Sequence, residues 1–250
     1  MAMPGNLDGK VVLITGAARR IGASIGRCLH AEGANVVIHY RGSAGAATAL
    51  CEELNAVRNN SALPLQADLG DVDALPELVA TVLAWQGRLD ALVNNASSFY
   101  PTPMGSISTR DWDDLLGANL KGPLFLSQAA LAALRESGGA IVNIVDIHAQ
   151  RPLKDHAVYG AAKAGLAMLT RSLAKDLAPD VRVNGVSPGA ILWPENDVTD
   201  ASKEDILRQI PVGRIGDPDD IAGCVLYLIR DAGYVTGQII AVDGGRSIGW

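Results

Sequence analysis

The chain is short of cysteine, aromatic rings and net charge. Its three cysteines, Cys28, Cys51 and Cys224, are odd in number and far apart. They form no CxxC pair, which argues against a disulfide framework or structural zinc and fits a reducing compartment. The histidines His30, His39, His148 and His156 show no metal spacing either, so no metal is expected and they read as structural or surface residues. Lys and Arg number 21 against 27 Asp and Glu, a net charge of −6. That is not the electrostatic footprint of a nucleic-acid binder. No apolar run reaches the ~18 residues of a membrane span. Met1 to Lys10 has no apolar h-region, so no secretory signal is expected. Glycine is frequent, at 27 residues, but no Gly-X-Y period accompanies it, which excludes collagen. These absences predict a soluble, cytoplasmic, globular protein.

What is present is a core. Hydrophobic residues make up 48% of 250 residues, enough for one large domain. Val11–Ile14, Asn35–Ile38, Leu63–Gln66, Ala91–Asn94, Ile141–Val145, Arg182–Val186 and Gln238–Val242 read as buried strands. Ile21–Glu32, Ala44–Val57, Val72–Trp85, Asp111–Leu134, His156–Ala178 and Asp217–Ile229 read as helices between them. Unbroken alternation predicts a doubly wound, Rossmann-type parallel α/β sheet in a single domain over 1–250. Residues 1–9 are expected to be flexible. Pro188–Glu204 is the one long irregular stretch and reads as a substrate lid. Within it, Trp193 is either a lid residue over the substrate or an apolar plug. Asp217-Pro218-Asp219-Asp220 reads as a helix start, its acids at the positive end of the dipole.

The turn Thr15-Gly16-Ala17-Ala18-Arg19-Arg20-Ile21-Gly22 joins the first strand to the first helix. Small residues there let a pyrophosphate approach backbone N–H groups at a helix N-terminus. NAD sites want a carboxylate after the second strand, for the ribose 2′-OH. Here the chain runs Tyr40-Arg41-Gly42-Ser43, with no acid. Arg41 is either a fork for a 2′-phosphate, with Ser43 as a second donor, or a solvated loop charge. This points to NADPH/NADP+. Tyr159 and Lys163 stand at i and i+4 and share a helix face. An ammonium beside the phenol is expected to lower its pKa and make it a usable acid.

Together these residues resemble the short-chain dehydrogenase/reductase family, from Lys10 to Gly245. Arg20 stands where that family has the middle glycine of its loop. The resemblance implies further cofactor contacts at Asp68-Leu69, at the backbone of Asn95-Ala96-Ser97, and at Pro188-Gly189. Asp68 reads equally well as a helix N-cap. The resemblance also gives Asn119 a place in the catalytic set, supporting Lys163 through a water. The family's serine, about 13 residues before the tyrosine, is replaced by Asp146. A carboxylate ~4 Å from an oxygen gaining charge costs ~4 kcal/mol at an effective dielectric of 20. A C=N nitrogen, which must gain a proton, asks for the reverse. Asp146 therefore points to an imine-like acceptor, unless it is protonated or turned away.

Arg20, Asp146 and the run Asn94 to Pro103 resemble the pteridine reductase branch. That resemblance implies Phe99 stacking on a pterin ring, Ser97 and Arg20 near it, and hydride transfer to a ring C=N. Phe99 is one of two phenylalanines; the other reading of it is an apolar plug under its loop. A carbonyl or 3-oxoacyl thioester reductase with an inert Asp146 is the alternative enzyme. A non-catalytic NADP-binding sensor is the alternative of another class. The resemblance also implies a homotetramer, with the two long helices packing across a two-fold axis.

Overall fold

The computed structural model describes residues 7–192 and 200–248. Seven strands form one parallel sheet: β1 (Val11–Ile14), β2 (Asn35–Tyr40), β3 (Ala62–Gln66), β4 (Ala91–Asn94), β5 (Ala140–Ile144), β6 (Arg182–Pro188) and β7 (Ile239–Val242). Their order is β3-β2-β1-β4-β5-β6-β7. The order reverses between β1 and β4, and open α/β sheets bind ligands in the crevice beyond such a switch point. The fold expected from the alternation is the fold observed.

Strict two-residue periodicity sorts the strands onto two covers. Val12 and Ile14 of β1 join one apolar cluster with α1 (Arg20–Ala31), α2 (Ala44–Val57) and α8 (Pro218–Arg230). Val11 and Leu13 join the other, with α3 (Leu75–Gln86), α5 (Gly122–Ser137) and α6 (Ala157–Leu177). A one-residue slip of β1 would swap the two sets, so register is strongly specified. Each fully buried Val, Leu or Ile contributes ~1.5–3 kcal/mol.

Several expected boundaries move. Leu7 is buried in the core, so the flexible start expected over 1–9 does not include it. The helix expected over Asp111–Leu134 is two helices, α4 (Thr109–Leu116) and α5, joined by a π-helical turn at Gly117–Lys121. Ser108 and Asp111 form a capping box that starts α4 two residues early. The irregular stretch expected over 188–204 is shorter at both ends. Pro188 completes β6, Ile191 pairs with Gly216, and α7 (Asp200–Arg208) begins at Asp200. Glu204 and Asp205 both pair with Arg208 at helical spacing, which supports that helix. Trp193 lies outside the described residues. The acids at Asp217–Asp220 do start a helix: Asp217 and Asp220 form a capping box for α8, with Pro218 in its first turn.

Candidate active site

A cleft of about 1150 Å³ opens beyond the carboxyl ends of the first four strands. Its floor is the turn between β1 and α1. Gly16 adopts φ +60, and a Cβ there would sit 2.8 Å from Ala96 Cα. A Cβ on Gly22 would lie 2.6 Å from both Asn95 Nδ2 and Gly16 O. Only glycine fits these positions. Arg20 also has positive φ, at 52, the left-handed region that glycine enters at no steric cost.

The end of β4 clamps the same turn. Thr15 Oγ1 accepts from the N–H groups of Asn95 and Ala96 at 2.9 and 3.0 Å. Asn95 Nδ2 donates to the carbonyls of Thr15 and Gly16 at 2.9 and 3.1 Å. Helix α1 has no side-chain cap and no acid in its first turn. Its first N–H groups therefore suit an anion, and Arg19, Arg20 and Arg41 line the same cleft. This donor set fits the pyrophosphate and a 2′-phosphate of a dinucleotide.

Arg41 extends across the cleft mouth to Asp114 of α4, 3.5 Å away. Tyr40 ends β2, and Ser43 sits at the N-terminus of α2, its hydroxyl making no cap bond. No side chain crowds Gly42. Asp68 does not cap a helix; its Oδ1 accepts from Gly70 N–H at 2.9 Å, within its own turn on the cleft wall. Leu69 is buried beside it. Pro188 and Gly189 lie at the β6–β7 edge, where a Cβ on Gly189 would meet Asp243 Cα at 2.7 Å.

The candidate catalytic residues Asp146, Tyr159 and Lys163 lie past β5 and at the start of α6. Tyr159 Oη donates to Asp146 Oδ2 at 2.7 Å. Asp146 Oδ1 accepts from His148 N–H at 2.8 Å, which fixes the carboxylate. Asp146 is therefore turned toward the tyrosine, not away. Lys163 is buried, and its Nζ donates to the Ile144 carbonyl at 2.9 Å. Burial pulls Lys163 down to about 8, opposed by the Asp146 charge. Tyr159 is pushed up by burial, then by the Asp146 charge and hydrogen bond, with Ser97 opposing. The expected lowering of the tyrosine by Lys163 is not what this arrangement gives. The carboxylate touches the phenol, whereas the ammonium stands 5.8 Å from the ring centroid.

Asn119 occupies the π-helical turn, a distortion frequent at functional sites. It donates to the carbonyls of Ser98 and Leu115, both at 2.9 Å, and accepts from Ser97 Oγ at 2.7 Å. Its direct bonds hold the Ser97-Ser98 loop, not Lys163. Phe99 follows that loop and is 55% exposed, so it is not a plug. Its ring stacks on His156 at 4.7 Å and meets Tyr159 edge-on at 4.8 Å.

Sequence reasoning passed over several neighbours. His156, read as bland, is part of the aromatic cluster. Asp114 and Trp112 of α4 form the far wall of the cleft. Arg246 is lowered by burial while the charges of Asp146 and Asp243 oppose that shift, which puts it near the Asp146 carboxylate. Only His156 carried a signal, three residues before Tyr159 at a helix start.

Residues 16–247 match a family model described as enoyl-(acyl carrier protein) reductase. The chain belongs to the short-chain dehydrogenase/reductase family. Membership makes it an oxidoreductase, and the matched span runs from Gly16 of the turn past Tyr159 and Lys163. It is similar to pteridine reductase 1 of Leishmania tarentolae, at 39% identity over 95% of this chain and 96% of that protein. It is also similar to a 3-oxoacyl-[acyl-carrier-protein] reductase of Staphylococcus aureus, at 39% identity over 94% of this chain and 97% of that protein. Among solved structures, a blue fluorescent protein from a metagenomic library, in complex with NADPH, aligns with a TM-score of 0.89. The identity is 36%, over 96% of this chain and 99% of that one.

Proposed function

We propose that the chain is an NADPH-dependent reductase of pterins or dihydropterins, acting on a ring C=N bond. The observation that carries this reading is the 2.7 Å contact between Tyr159 and Asp146. A carboxylate at the proton donor opposes charge on a ketone oxygen and favours protonation of nitrogen. The chemistry NADPH supplies when bound is a hydride for the carbon of that bond. Arg41 and Ser43 hold the 2′-phosphate, and the turn from Gly16 to Gly22 faces the pyrophosphate. Tyr159 Oη gives its proton, directly or through a water, to the substrate nitrogen as that atom gains negative charge, and the Asp146 carboxylate, which accepts from the same hydroxyl at rest, orients it and favours the protonated nitrogen. The phenolate left behind is offset by the Lys163 ammonium and regains its proton from solvent. The exposed face of Phe99 holds a flat, electron-poor bicycle by stacking.

A second reading, 3-oxoacyl thioester reduction, is favoured by the equal identity of the two named relatives. One experiment separates them: NADPH oxidation by the purified chain with an oxidised pterin, a dihydropterin, dihydrofolate and a 3-oxoacyl thioester. Turnover of a pterin is the expected result. Turnover of the thioester alone would give the second reading first place.

The same reading includes a cytoplasmic homotetramer. No described helix is long and apolar enough to cross a membrane. Trp112 on α4 and Met168 on α6 expose apolar surface, 50% and 60%, on helices the family resemblance pairs across a two-fold axis. A monomeric mass by light scattering at micromolar concentration would contradict the tetramer.

A further inference from the structure

His39 has no part in the chemistry above, yet it touches the turn on which the cofactor reading rests. It is the penultimate residue of β2 and only 1% exposed. Its Nδ1 accepts from Gly16 N–H at 3.2 Å. Its Nε2 lies 3.2 Å from the Ala67 carbonyl. Its own carbonyl accepts from Ala17 N–H at 2.9 Å. Both ring contacts are made only by the neutral tautomer with hydrogen on Nε2. Burial, opposed by the Ala67 carbonyl and Asp68, holds the ring down to about 4, so it is neutral near pH 7.

Gly16, two residues past the end of β1, is thereby gripped from both sides. His39 holds the N–H of Gly16, and Asn95 Nδ2 holds its carbonyl at 3.1 Å. One imidazole ties together the carboxyl ends of β1, β2 and β3, and with them the start of the anion-binding turn. We propose that His39 is a positioning residue for NADPH: it sets the orientation of the turn from Gly16 to Gly22, and so the affinity for the pyrophosphate. The proposal rests on the NADPH reading given above. The chemistry asked of position 39 is specific. A buried acceptor must meet Gly16 N–H, and a donor must meet Ala67 O. An apolar side chain of equal size leaves a buried N–H without a partner.

Three variants and two ligands test this. His39→Leu removes both ring contacts. His39→Asn keeps an acceptor near the place of Nδ1, and His39→Gln moves it away. Binding of NADPH is compared with binding of adenosine 2′-monophosphate, which engages the Arg41 end and carries no pyrophosphate. The wild-type titration alone decides the cofactor reading: no binding of NADPH would overturn that reading and this proposal with it. With wild-type binding established, His39→Leu is expected to weaken NADPH at least ~tenfold, the scale of an unpaired buried donor. Adenosine 2′-monophosphate affinity is expected to stay within about twofold, and His39→Asn to recover most of the loss. Unchanged NADPH affinity in His39→Leu, or equal losses for both ligands, would overturn the proposal. Should His39→Leu fail to fold, the amides decide: Gln several-fold weaker than Asn for NADPH alone supports the role, and equal affinities contradict it.

Discussion

Tyr159 donates its phenolic hydrogen to a carboxylate, Asp146 Oδ2, at 2.7 Å, while the buried Lys163 ammonium binds the Ile144 carbonyl. The resting tyrosine is therefore held as a phenol. Its deprotonation needs a charged Lys163 to offset the phenolate. Lys163 sits at about 8, so the ammonium dominates below that pH and the neutral amine above it. Pterin reduction is expected to fall as pH rises through about 8. A rate profile flat from about 7 to about 9.5 would contradict this role for the lysine.

Asp114 competes for Arg41, the proposed anchor of the 2′-phosphate. Arg41 contacts Asp114 at 3.5 Å, with both side chains partly exposed. A charge-assisted bond to a phosphate contributes ~1.5–3 kcal/mol, roughly tenfold to a hundredfold in affinity. Arg41→Ala should reduce the preference for NADPH over NADH by that factor. Asp114→Asn should instead tighten NADPH by ~2- to 5-fold, the scale of an exposed ion pair. Both are read from kcat/KM with the two cofactors. A wild type that uses them equally would contradict the anchor.

Phe99 is 55% exposed and meets Tyr159 edge-on. Stacking adds ~0.5–1.5 kcal/mol beyond area burial, and losing the ring also loses its transfer free energy. Phe99→Ala should raise KM for a dihydropterin at least ~tenfold, with NADPH affinity changing less. Circular dichroism confirms the fold of the variant. An unchanged KM would reduce Phe99 to packing.

The sheet was legible because its strands are short, apolar and separated by helix-period segments. Val11–Ile14, Ala91–Asn94 and Ala44–Val57 have the same bounds in sequence and structure. The π-helical turn at Gly117–Lys121 was passed over although Gly117 and Gly122-Pro123 bracket it, because the apolar period continues on both sides and Pro123 is tolerated in the first turn of α5. The candidate site was legible where residue type alone carries the chemistry, as at Asp146, Tyr159, Lys163 and Phe99. It was hidden where tertiary placement decides. His39 reads as any strand histidine until β1 and β3 flank it, and Asp114 as a helix acid until Arg41 reaches it. The effect on the tyrosine was misread because i, i+4 spacing gives a shared face but not which neighbour touches the hydroxyl.

Helix α8 covers one face of the sheet, and its start is set by Asp217 and Asp220. Removing such a cap costs ~1 kcal/mol. Asp217→Ala should lower Tm by about 2–4 °C, as expected for a domain of this size. Activity at 25 °C should be unaffected. A Tm unchanged by calorimetry would show that the cap contributes nothing measurable.

On the function proposed above, Asp146 selects nitrogen over oxygen as the atom that gains the proton. Asp146→Ser tests it most directly, assayed with a dihydropterin and a 3-oxoacyl thioester under the same NADPH concentration. The expected result is a loss of dihydropterin reduction by more than ~tenfold, the lower part of the general acid–base range. Thioester reduction should hold or rise, and NADPH affinity should be little changed. A serine variant that reduces the dihydropterin at the wild-type rate would contradict the account.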